Sequence, residues 1–175
     1  ILKTSSFEAN GITFINEKID LGSIIRKVLV TLQLTFEKQK VRVNYTTSGN
    51  NFDLMGSEMH FTNIVHNLLD NALKYGGENS VIDIALQDLN TSLELSVRDS
   101  GIGIPKEYQK KIFEKFFRVP SGDIHNVKGY GLGLNYVASV VKKMDGKIEV
   151  KSDPGQGSLF KITLPKHGRF ETHNG

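Results

Sequence analysis

The stretch from His60 to Gly77, HFTNIVHNLLDNALKYGG, constrains the fold more than any other part of the chain. Its apolar residues recur every three or four positions, which predicts a helix that packs one face on a core. Another side of the same helix carries Asn63, Asn67 and Asn71, at similar spacing. Because the asparagine amide competes for backbone hydrogen bonds, a stripe of asparagines is a local cost to a helix. Both a solvated surface and a binding site explain the stripe.

The composition indicates one globular domain. The 175 residues are 38% hydrophobic and 23% charged, and this length can bury a real core. The formal net charge of +3 is spread along the chain and gives no reason to expect nucleic acid or an anionic membrane as partner. Cysteine is absent, which excludes disulfides and thiolate sites. No apolar run approaches the roughly 18 residues that span a bilayer, and no signal peptide is recognisable.

The first third of the chain predicts two helices and three extended segments. We expect residues 1–9 to be the last turns of a helix that ends at Asn10-Gly11, and Asp20 to be the N-cap of a helix over residues 21–39. Ser57 is the predicted N-cap of the asparagine helix, with Glu58 in its first turn. The predicted extended segments are residues 13–18, 41–47 and 54–56. Since the chain opens on Ile1 and not Met, we expect a piece of a longer protein.

Beyond Gly77 the hydrophobic period changes from 3.6 to 2. Residues 81–88 and 92–99 therefore predict two paired strands. In the second strand Leu93, Leu95 and Val97 share a face, and the same period puts Asp99 on that face. A carboxylate in register with a buried apolar row is costly unless something pairs with it. Asp99 therefore lies either at the strand end in water or beside a dedicated partner.

The last part of the chain completes an α/β (α+β) two-layer sandwich. Residues 106–112 predict a short helix, residues 120–130 a loop long enough to move, and residues 131–144 a helix. Residues 147–151 and 158–164 predict a hairpin, and the polar tail from Lys166 is expected to fray. The order of elements predicts a mixed, mostly antiparallel sheet of about five strands, covered on one face by about three helices.

Three glycine clusters follow the asparagine helix, at positions 101 and 103, at 129, 131 and 133, and at 155 and 157. Glycine permits close backbone approach, which suits phosphate binding and ordinary turns equally, and for the last pair we favour the turn. The middle cluster, GYGLGL, runs directly into a predicted helix, whose free N–H groups and dipole favour an anion. It matches neither the Walker A nor the Rossmann pattern.

The clusters and the asparagine helix together form a specific series of motifs. The series is Asn67-x-x-x-Asn71-x-x-Lys74-Tyr75, Asp99-x-Gly101-x-Gly103, Phe113-x-x-Phe116-Phe117-Arg118, Gly129-x-Gly131-x-Gly133 and Gly155-x-Gly157. It resembles the N box, the first glycine box, the F box and the later glycine boxes of the ATP-binding catalytic domain of sensor histidine kinases, in the GHKL superfamily. The resemblance covers residues 12–165 and implies the Bergerat ATP-binding fold. Residues 1–11 resemble the end of that family's dimerisation and phosphoacceptor hairpin, and residues 166–175 are a polar C-terminal tail.

The resemblance implies a role for each matching residue. Asn71 would ligate Mg²⁺ with Asn67 assisting, and Asp99 would accept the exocyclic amine of adenine. Asn67, Lys74 and Arg118 would take part in phosphoryl transfer, with Lys74 and Arg118 bearing on the phosphates. Residues 120–130 would form a lid over the nucleotide. The implied ATP-binding set is Asn67, Asn71, Lys74, Tyr75, Asp99, Gly101, Gly103, Ile104, Phe116, Arg118, Gly129, Tyr130, Gly131, Leu132, Gly133 and Leu134.

Asn67 separates two activities within this fold. The resemblance implies that ATP-hydrolysing relatives, such as DNA gyrase, the heat-shock chaperone family and mismatch-repair ATPases, carry a glutamate at this position. A glutamate can act as general base for an attacking water, whereas an amide cannot take the proton. Hydrolysis is therefore disfavoured, and the γ-phosphoryl group is kept for a neutral histidine imidazole. The protein then contributes positioning and charge neutralisation.

The expected function is that of the catalytic domain of a two-component sensor histidine kinase. It would bind Mg-ATP and transfer the γ-phosphoryl group to a histidine on its own dimerisation domain, in a homodimer, for relay to an aspartate of a response regulator. We expect a cytoplasmic domain of a membrane-anchored bacterial sensor. The chain lacks a His-Glu/Asp-x-x-x-Pro motif, so we expect it not to phosphorylate itself. We expect surface or structural roles for His60 and His66, and solvated positions for His125, His167 and His173.

Two other functions stay open at this point. An anti-sigma-type protein-serine kinase shares the asparagine and the glycine boxes, although the F box with Arg118 and the resemblance of residues 1–11 argue against it. A nucleotide-binding module that has lost catalysis and serves in docking is the other alternative. The presence of Asn71, Asp99 and the lid glycines argues against that module.

Overall fold

A computed structural model describes residues 16–120 and 133–167, within which the chain forms three α-helices and seven strands. The strands are β1 (Glu17–Asp20), β2 (Arg42–Ser48), β3 (Asp53–Gly56), β4 (Val81–Asp88), β5 (Ser92–Asp99), β6 (Lys147–Ser152) and β7 (Ser158–Pro165). The helices are α1 (Leu21–Lys38), α2 (Glu58–Gly76) and α3 (Gly133–Lys143). The predicted helix over residues 1–9, its stop at Asn10-Gly11 and most of the predicted lid lie outside the described residues.

Five of the strands form one mixed sheet in the order β2-β4-β5-β7-β6. The pair β2–β4 is parallel and the other three pairs are antiparallel. Strands β1 and β3 form a separate antiparallel pair in which Glu17 is opposite Gly56. The predicted two-layer sandwich with a mostly antiparallel sheet is confirmed.

One face of the large sheet carries the core. Alternate residues of β4 and β5 are buried, and together with α1, α2 and α3 they form a single apolar cluster. The opposite face is polar, as shown by the hydrogen bond from Asn44 to Asp83 and the ion pair between Lys161 and Glu94. This is the alternation expected of a sheet with one solvated face. None of the helices in the described part of the chain is long and apolar enough to cross a membrane.

The start of each long helix follows from its first residues. Asp20 is the N-cap of α1, where its carboxylate accepts from the backbone N–H of Ser23 at 3.1 Å. Ser57 lies at the N-cap position of α2 with extended backbone, but its side chain makes no capping hydrogen bond, so the predicted side-chain cap is wrong. The acidic Glu58 in the first turn complements the positive end of α2 instead.

The predicted helix over residues 106–112 is wrong. Two 3₁₀ turns take its place, Lys106–Tyr108 and Lys111–Phe113. A segment this short gains too few i→i+4 hydrogen bonds to offset helix nucleation. The side chain of Gln109, between the two turns, also donates to backbone carbonyls elsewhere, which fixes the chain in this irregular path.

Lys166 does not fray as predicted. Its backbone N–H donates to the carbonyl of Thr91, and its own carbonyl accepts from Met55 of β3. Its ammonium lies 2.6 Å from a carboxylate oxygen of Asp88, with both side chains largely buried. A strand end that is paired on both sides and holds an ion pair is part of the fold.

Candidate functional site

Asp99 ends β5 with its side chain inside the protein, only 6% exposed. The backbone N–H of Gly101 donates to Oδ1 of Asp99 at 2.9 Å. Burial raises the pKa of this carboxyl group, and the backbone N–H groups of Gly101 and Ser158 oppose that rise. The sequence left two positions open for Asp99, in water at the strand end or beside a dedicated partner. The structure shows the second, because Asp99 lies away from bulk water and its carboxylate accepts from backbone N–H groups.

Gly101 brings the turn after β5 against the end of α2. The backbone N–H of Ile102 donates to the carbonyl of Tyr75 at 3.2 Å. A side chain at position 101 would overlap that same carbonyl, so only glycine allows this approach. The first glycine box and the asparagine helix therefore meet, as the predicted site requires.

The asparagine stripe faces the start of α3. The side-chain N–H of Asn67 donates to the carbonyl of Asn63 at 2.8 Å, which leaves the amide oxygen to point elsewhere. A Cβ atom built on Gly133 would lie 2.8 Å from that oxygen, so the first residue of α3 packs directly on Asn67. Asn67 and Asn71 are both partly buried on this side of α2. The N box and the second glycine box are thus in contact.

Lys74 lies on α2 in an ion pair with Asp70, at 2.7 Å. Both side chains are about one-third exposed, and such exposed pairs contribute little stability. Little free energy would therefore be lost if Lys74 left Asp70 to bind a phosphate group. The neighbouring side chain of Tyr75 is 39% exposed at the end of the helix.

The F box is divided between the core and the surface. The ring of Phe113 packs edge-on against Phe160, and Phe117 packs against Tyr108. Phe116 is 67% exposed and has a φ of 65°, with the ammonium of Lys115 5.2 Å from its ring centroid. Arg118 is also exposed. Phe113 and Phe117 anchor the segment, and Phe116 and Arg118 project from it.

The remaining predicted residues fall on both sides of the boundary of the described chain. Gly129, Tyr130, Gly131 and Leu132 lie outside the described residues. Leu134 is half-buried and packs against the core. Ile104 is half-buried after the Asp99 turn, and the Gly103 backbone packs on Asp153.

Three polar residues that the sequence motifs do not predict lie beside this site. Ser152 and Ser158 are buried at the ends of β6 and β7, where their hydroxyl oxygens lie 2.9 Å apart, and Gln109 donates to the backbone next to them. The sequence offers one sign of them, since Ser152 and Ser158 bracket the last glycine pair. No group of three or more His, Cys, Asp or Glu side chains suitable for a metal occurs within the residues that the structure describes.

Residues 56–168 match the family model of histidine kinase-, DNA gyrase B- and HSP90-like ATPases. The match spans every described part of the site, from α2 to β7. The chain belongs to this family. Its α2, Asp99 turn and α3 are therefore the elements of an ATP-binding domain.

Relatives of this chain include a sensor protein and a sensor-like histidine kinase. The chain is 36% identical over 167 residues to the sensor protein RprX of Bacteroides fragilis (strain YCH46), covering 94% of this chain and 32% of that protein. It is 28% identical to the sensor-like histidine kinase SenX3 of Mycolicibacterium smegmatis, covering 90% of this chain and 41% of that protein. The chain thus spans less than half the length of these relatives.

Solved structures of histidine kinase catalytic domains share the fold. A nucleotide-free catalytic domain of histidine kinase ThkA superposes with a TM-score of 0.77 at 27% identity, over 87% of this chain and 96% of that one. ThkA in complex with the response regulator protein TrrA matches with a TM-score of 0.72 at 25% identity, over 88% of this chain and 42% of that chain. The chain has the architecture of a histidine kinase catalytic domain.

Proposed function

We propose that this chain binds Mg-ATP and transfers the γ-phosphoryl group to a histidine on a dimerisation domain of the same protein, for relay to a response regulator aspartate. The observation that carries the proposal is the position of Asp99. It is a buried carboxylate held by the N–H of Gly101, in a turn that contacts the end of the asparagine helix. A metabolic nucleotide with an exocyclic amine fits this acceptor.

The buried carboxylate suits a base that carries an exocyclic amine, as adenine does. The backbone N–H groups of Gly101 and Ser158 donate to the Asp99 carboxylate, and a carboxylate has room for about four hydrogen bonds. An amine donating to it would offset part of the desolvation that raises the pKa of Asp99. A carbonyl oxygen in the same place would face a second acceptor with no proton between them. The acceptor therefore selects a base with an amine.

The residues present also fit magnesium when it arrives with a triphosphate. Mg²⁺ prefers oxygen ligands and shares its shell with phosphate and water. Asn71 and the amide oxygen of Asn67 supply neutral oxygens on one side of α2, and no carboxylate cluster lies in the described residues. The negative charge that holds the metal would come from the triphosphate. When bound, the metal would neutralise phosphate charge, and Asn67 and Asn71 would hold it.

Asn67 favours transfer over hydrolysis. Its amide cannot accept a proton from water, and its N–H is already donated to the carbonyl of Asn63. Lys74, once it exchanges Asp70 for phosphate, and Arg118 on the F box would neutralise the charge that develops on the phosphoryl group. The chain thus holds ATP and leaves the nucleophile to the acceptor.

None of the described histidines is placed as the phosphoacceptor. His60 is buried with Nδ1 2.6 Å from the hydroxyl of Tyr136, whereas His66 and His167 are exposed without motif context. His125 and His173 lie outside the described residues. We infer that the acceptor histidine, the homodimer contacts and the response-regulator surface belong to the full-length sensor, whose catalytic part lies in the cytoplasm. A response regulator is the partner of the related kinase ThkA.

Labelled ATP tests the proposed function. The chain and the full-length protein are each incubated with γ-labelled ATP and Mg²⁺, and the protein-bound label is then treated with acid. We expect no stable label on the chain alone, and an acid-labile label on the full-length protein, as phosphohistidine requires. Acid-stable label would indicate a serine kinase, and rapid release of free phosphate by the chain would indicate a hydrolase. Either result would contradict the proposal.

A further inference from the structure

The hairpin loop between β6 and β7 lies face to face with the turn that carries Asp99. The backbone of Gly157 packs on the carbonyl of Asp99, where a Cβ atom would overlap it. The N–H of Gly155 donates to the carbonyl of Ile102 at 2.7 Å. The sequence favoured an ordinary turn for the last glycine pair. In the structure this pair also packs against the turn that carries Asp99 and supports it.

Ser152 joins these two loops through a hydroxyl with all its hydrogen-bonding capacity in use. Its Oγ accepts from the N–H of Ile104 at 2.7 Å and donates to the carbonyl of Gly157 at 2.8 Å. The hydroxyl of Ser158 lies 2.9 Å away and completes the set. A hydroxyl has one donor and two acceptor sites, so this arrangement saturates it. Such a buried, fully paired group fixes the distance between the loops.

Gln109 spans the same two loops from the 3₁₀ segment. Its side-chain amide nitrogen donates to the carbonyl of Ile104 at 2.9 Å and to the carbonyl of Ser152 at 2.7 Å. Both amide hydrogens are used, one on each loop. The connection explains why residues 106–112 follow an irregular path instead of a helix.

We propose that Ser152 and Gln109 are positioning residues that set the base specificity of the nucleotide site. The inference rests on the proposed function, since it assumes that Asp99 accepts the exocyclic amine of adenine. Ser152 and Gln109 fix the distance between the β6–β7 loop and the turn that carries Asp99. A carboxylate held in this way rejects a base that presents an oxygen in place of the amine, because the two acceptors cannot separate.

Inosine triphosphate is the sharpest probe of this inference, because it has a carbonyl where adenine has the amine and a proton on the neighbouring ring nitrogen. Ser152→Ala removes the hydrogen bonds of Oγ to an N–H and to a carbonyl, and Gln109→Met removes the side-chain hydrogen bonds to two carbonyls while keeping the side-chain length. We expect each variant to bind ATP about tenfold more weakly, and the preference for ATP over inosine triphosphate to fall by a similar factor. Binding of inorganic triphosphate with Mg²⁺ should stay within about twofold of wild type.

Two matched substitutions serve as controls. Ser80 is 5% exposed and its hydroxyl makes no hydrogen bond within the described structure, so Ser80→Ala also removes a buried hydroxyl. Gln33 donates to Glu37 on the surface of α1, so Gln33→Met removes a side-chain hydrogen bond far from the site. Neither control should change the preference between the two nucleotides.

Calorimetric titration of the wild type, the two variants and the two controls distinguishes the outcomes. A reduced preference for ATP in Ser152→Ala and Gln109→Met, but not in the controls, supports the inference. A wild-type preference in both variants overturns it, as does an equal loss of ATP and inorganic triphosphate. If Ser152→Ala does not fold, Gln109→Met alone decides. Failure of the wild type to bind ATP at all would instead refute the proposed function.

Discussion

At the scale of single residues, two kinds of polar group define the proposed site. Asp99 is a carboxylate whose pKa is raised by burial, so its charged form is costly to the free protein. The stability that its protonation contributes is fully present below its unfolded pKa of about 3.9 and is lost as the pH rises through the higher folded pKa. Asn67 and Asn71 are neutral and carry no such cost. The charged acceptor Asp99 suits the base, and the neutral amides of Asn67 and Asn71 suit the metal-bound phosphates.

Replacement of Asn71 tests the metal assignment. We expect Asn71→Ala to weaken ATP binding in Mg²⁺ buffer roughly tenfold, to the level that the wild type shows with EDTA, because an oxygen ligand is lost. ATP binding with EDTA should not change. Calorimetry with and without Mg²⁺ provides the measurement, with Asn44→Ala on the open face of the sheet as control. A Mg²⁺ dependence equal to that of wild type would contradict the assignment.

At the scale of elements, α2 organises the site through three contacts. The carbonyl of Tyr75 at its end accepts from the Asp99 turn, and Asn67 at its middle packs on the start of α3. Near its beginning, His60 is buried with Nδ1 2.6 Å from the hydroxyl of Tyr136 of α3. The apolar side of the helix packs in the core and thereby fixes the positions of all three contacts.

Removal of the Tyr136 hydroxyl should weaken the contact between α2 and α3. We expect Tyr136→Phe to lower the free energy of unfolding by about 1 kcal/mol, because the buried His60 loses this partner. Tyr45 is the matched control, since its buried hydroxyl has no hydrogen-bond partner within the described residues, and Tyr45→Phe should be neutral or stabilising. Urea unfolding of both variants checks this. Equal effects of the two substitutions would show that the Tyr136 contact contributes nothing.

The elements that the sequence predicts well are those with a clear period. The bounds of β4 and β5 are as predicted, because alternation of apolar and polar residues continues to the end of each strand. The path of residues 106–113 is not, because Gln109 donates to the carbonyl of Ser152, which lies 43 residues away in sequence. For the same reason the sequence does not predict the role of Ser152, which hydrogen-bonds to a turn 48 residues away. Motif order predicts the site, and the three-dimensional contacts show which residues pack beneath the predicted site.

At the scale of the whole molecule, Lys166 and Asp88 link the last strand to the rest of the fold. Asp88 ends β4 and also accepts from the backbone N–H groups of Asn51 and Asn90. Lys166 follows β7, and its carbonyl accepts from β3 of the small sheet. This cluster ties both sheets together. The sequence could not predict it, since strand order and the parallel pairing of β2 with β4 leave no local pattern.

The link between Asp88 and Lys166 makes the stability depend on pH. The hydrogen bond from Lys166, with those from Asn90 and Asn51, lowers the pKa of Asp88. The stability that the charged Asp88 contributes is therefore present above the unfolded pKa of about 3.9 and is lost as the pH falls through the lower folded pKa. We expect Asp88→Asn to destabilise the protein most near neutral pH, with the difference from wild type closing in acid.

Urea unfolding across this pH range provides the measurement for Asp88→Asn. The variant Asp83→Asn, measured alongside, gives the effect of removing an exposed carboxylate from the same strand. A difference between Asp88→Asn and wild type that stays constant with pH would show that the ion pair does not stabilise the fold.

We propose that Asp99 recognises the adenine of ATP at a site formed by α2, the turn after β5 and α3. Calorimetric titration of Asp99→Ala with Mg-ATP tests it most directly, with Asp83→Ala as control. We predict about a hundredfold loss of ATP affinity in Asp99→Ala, with the fold retained and the control unchanged. Wild-type affinity in a folded Asp99→Ala variant would contradict the account.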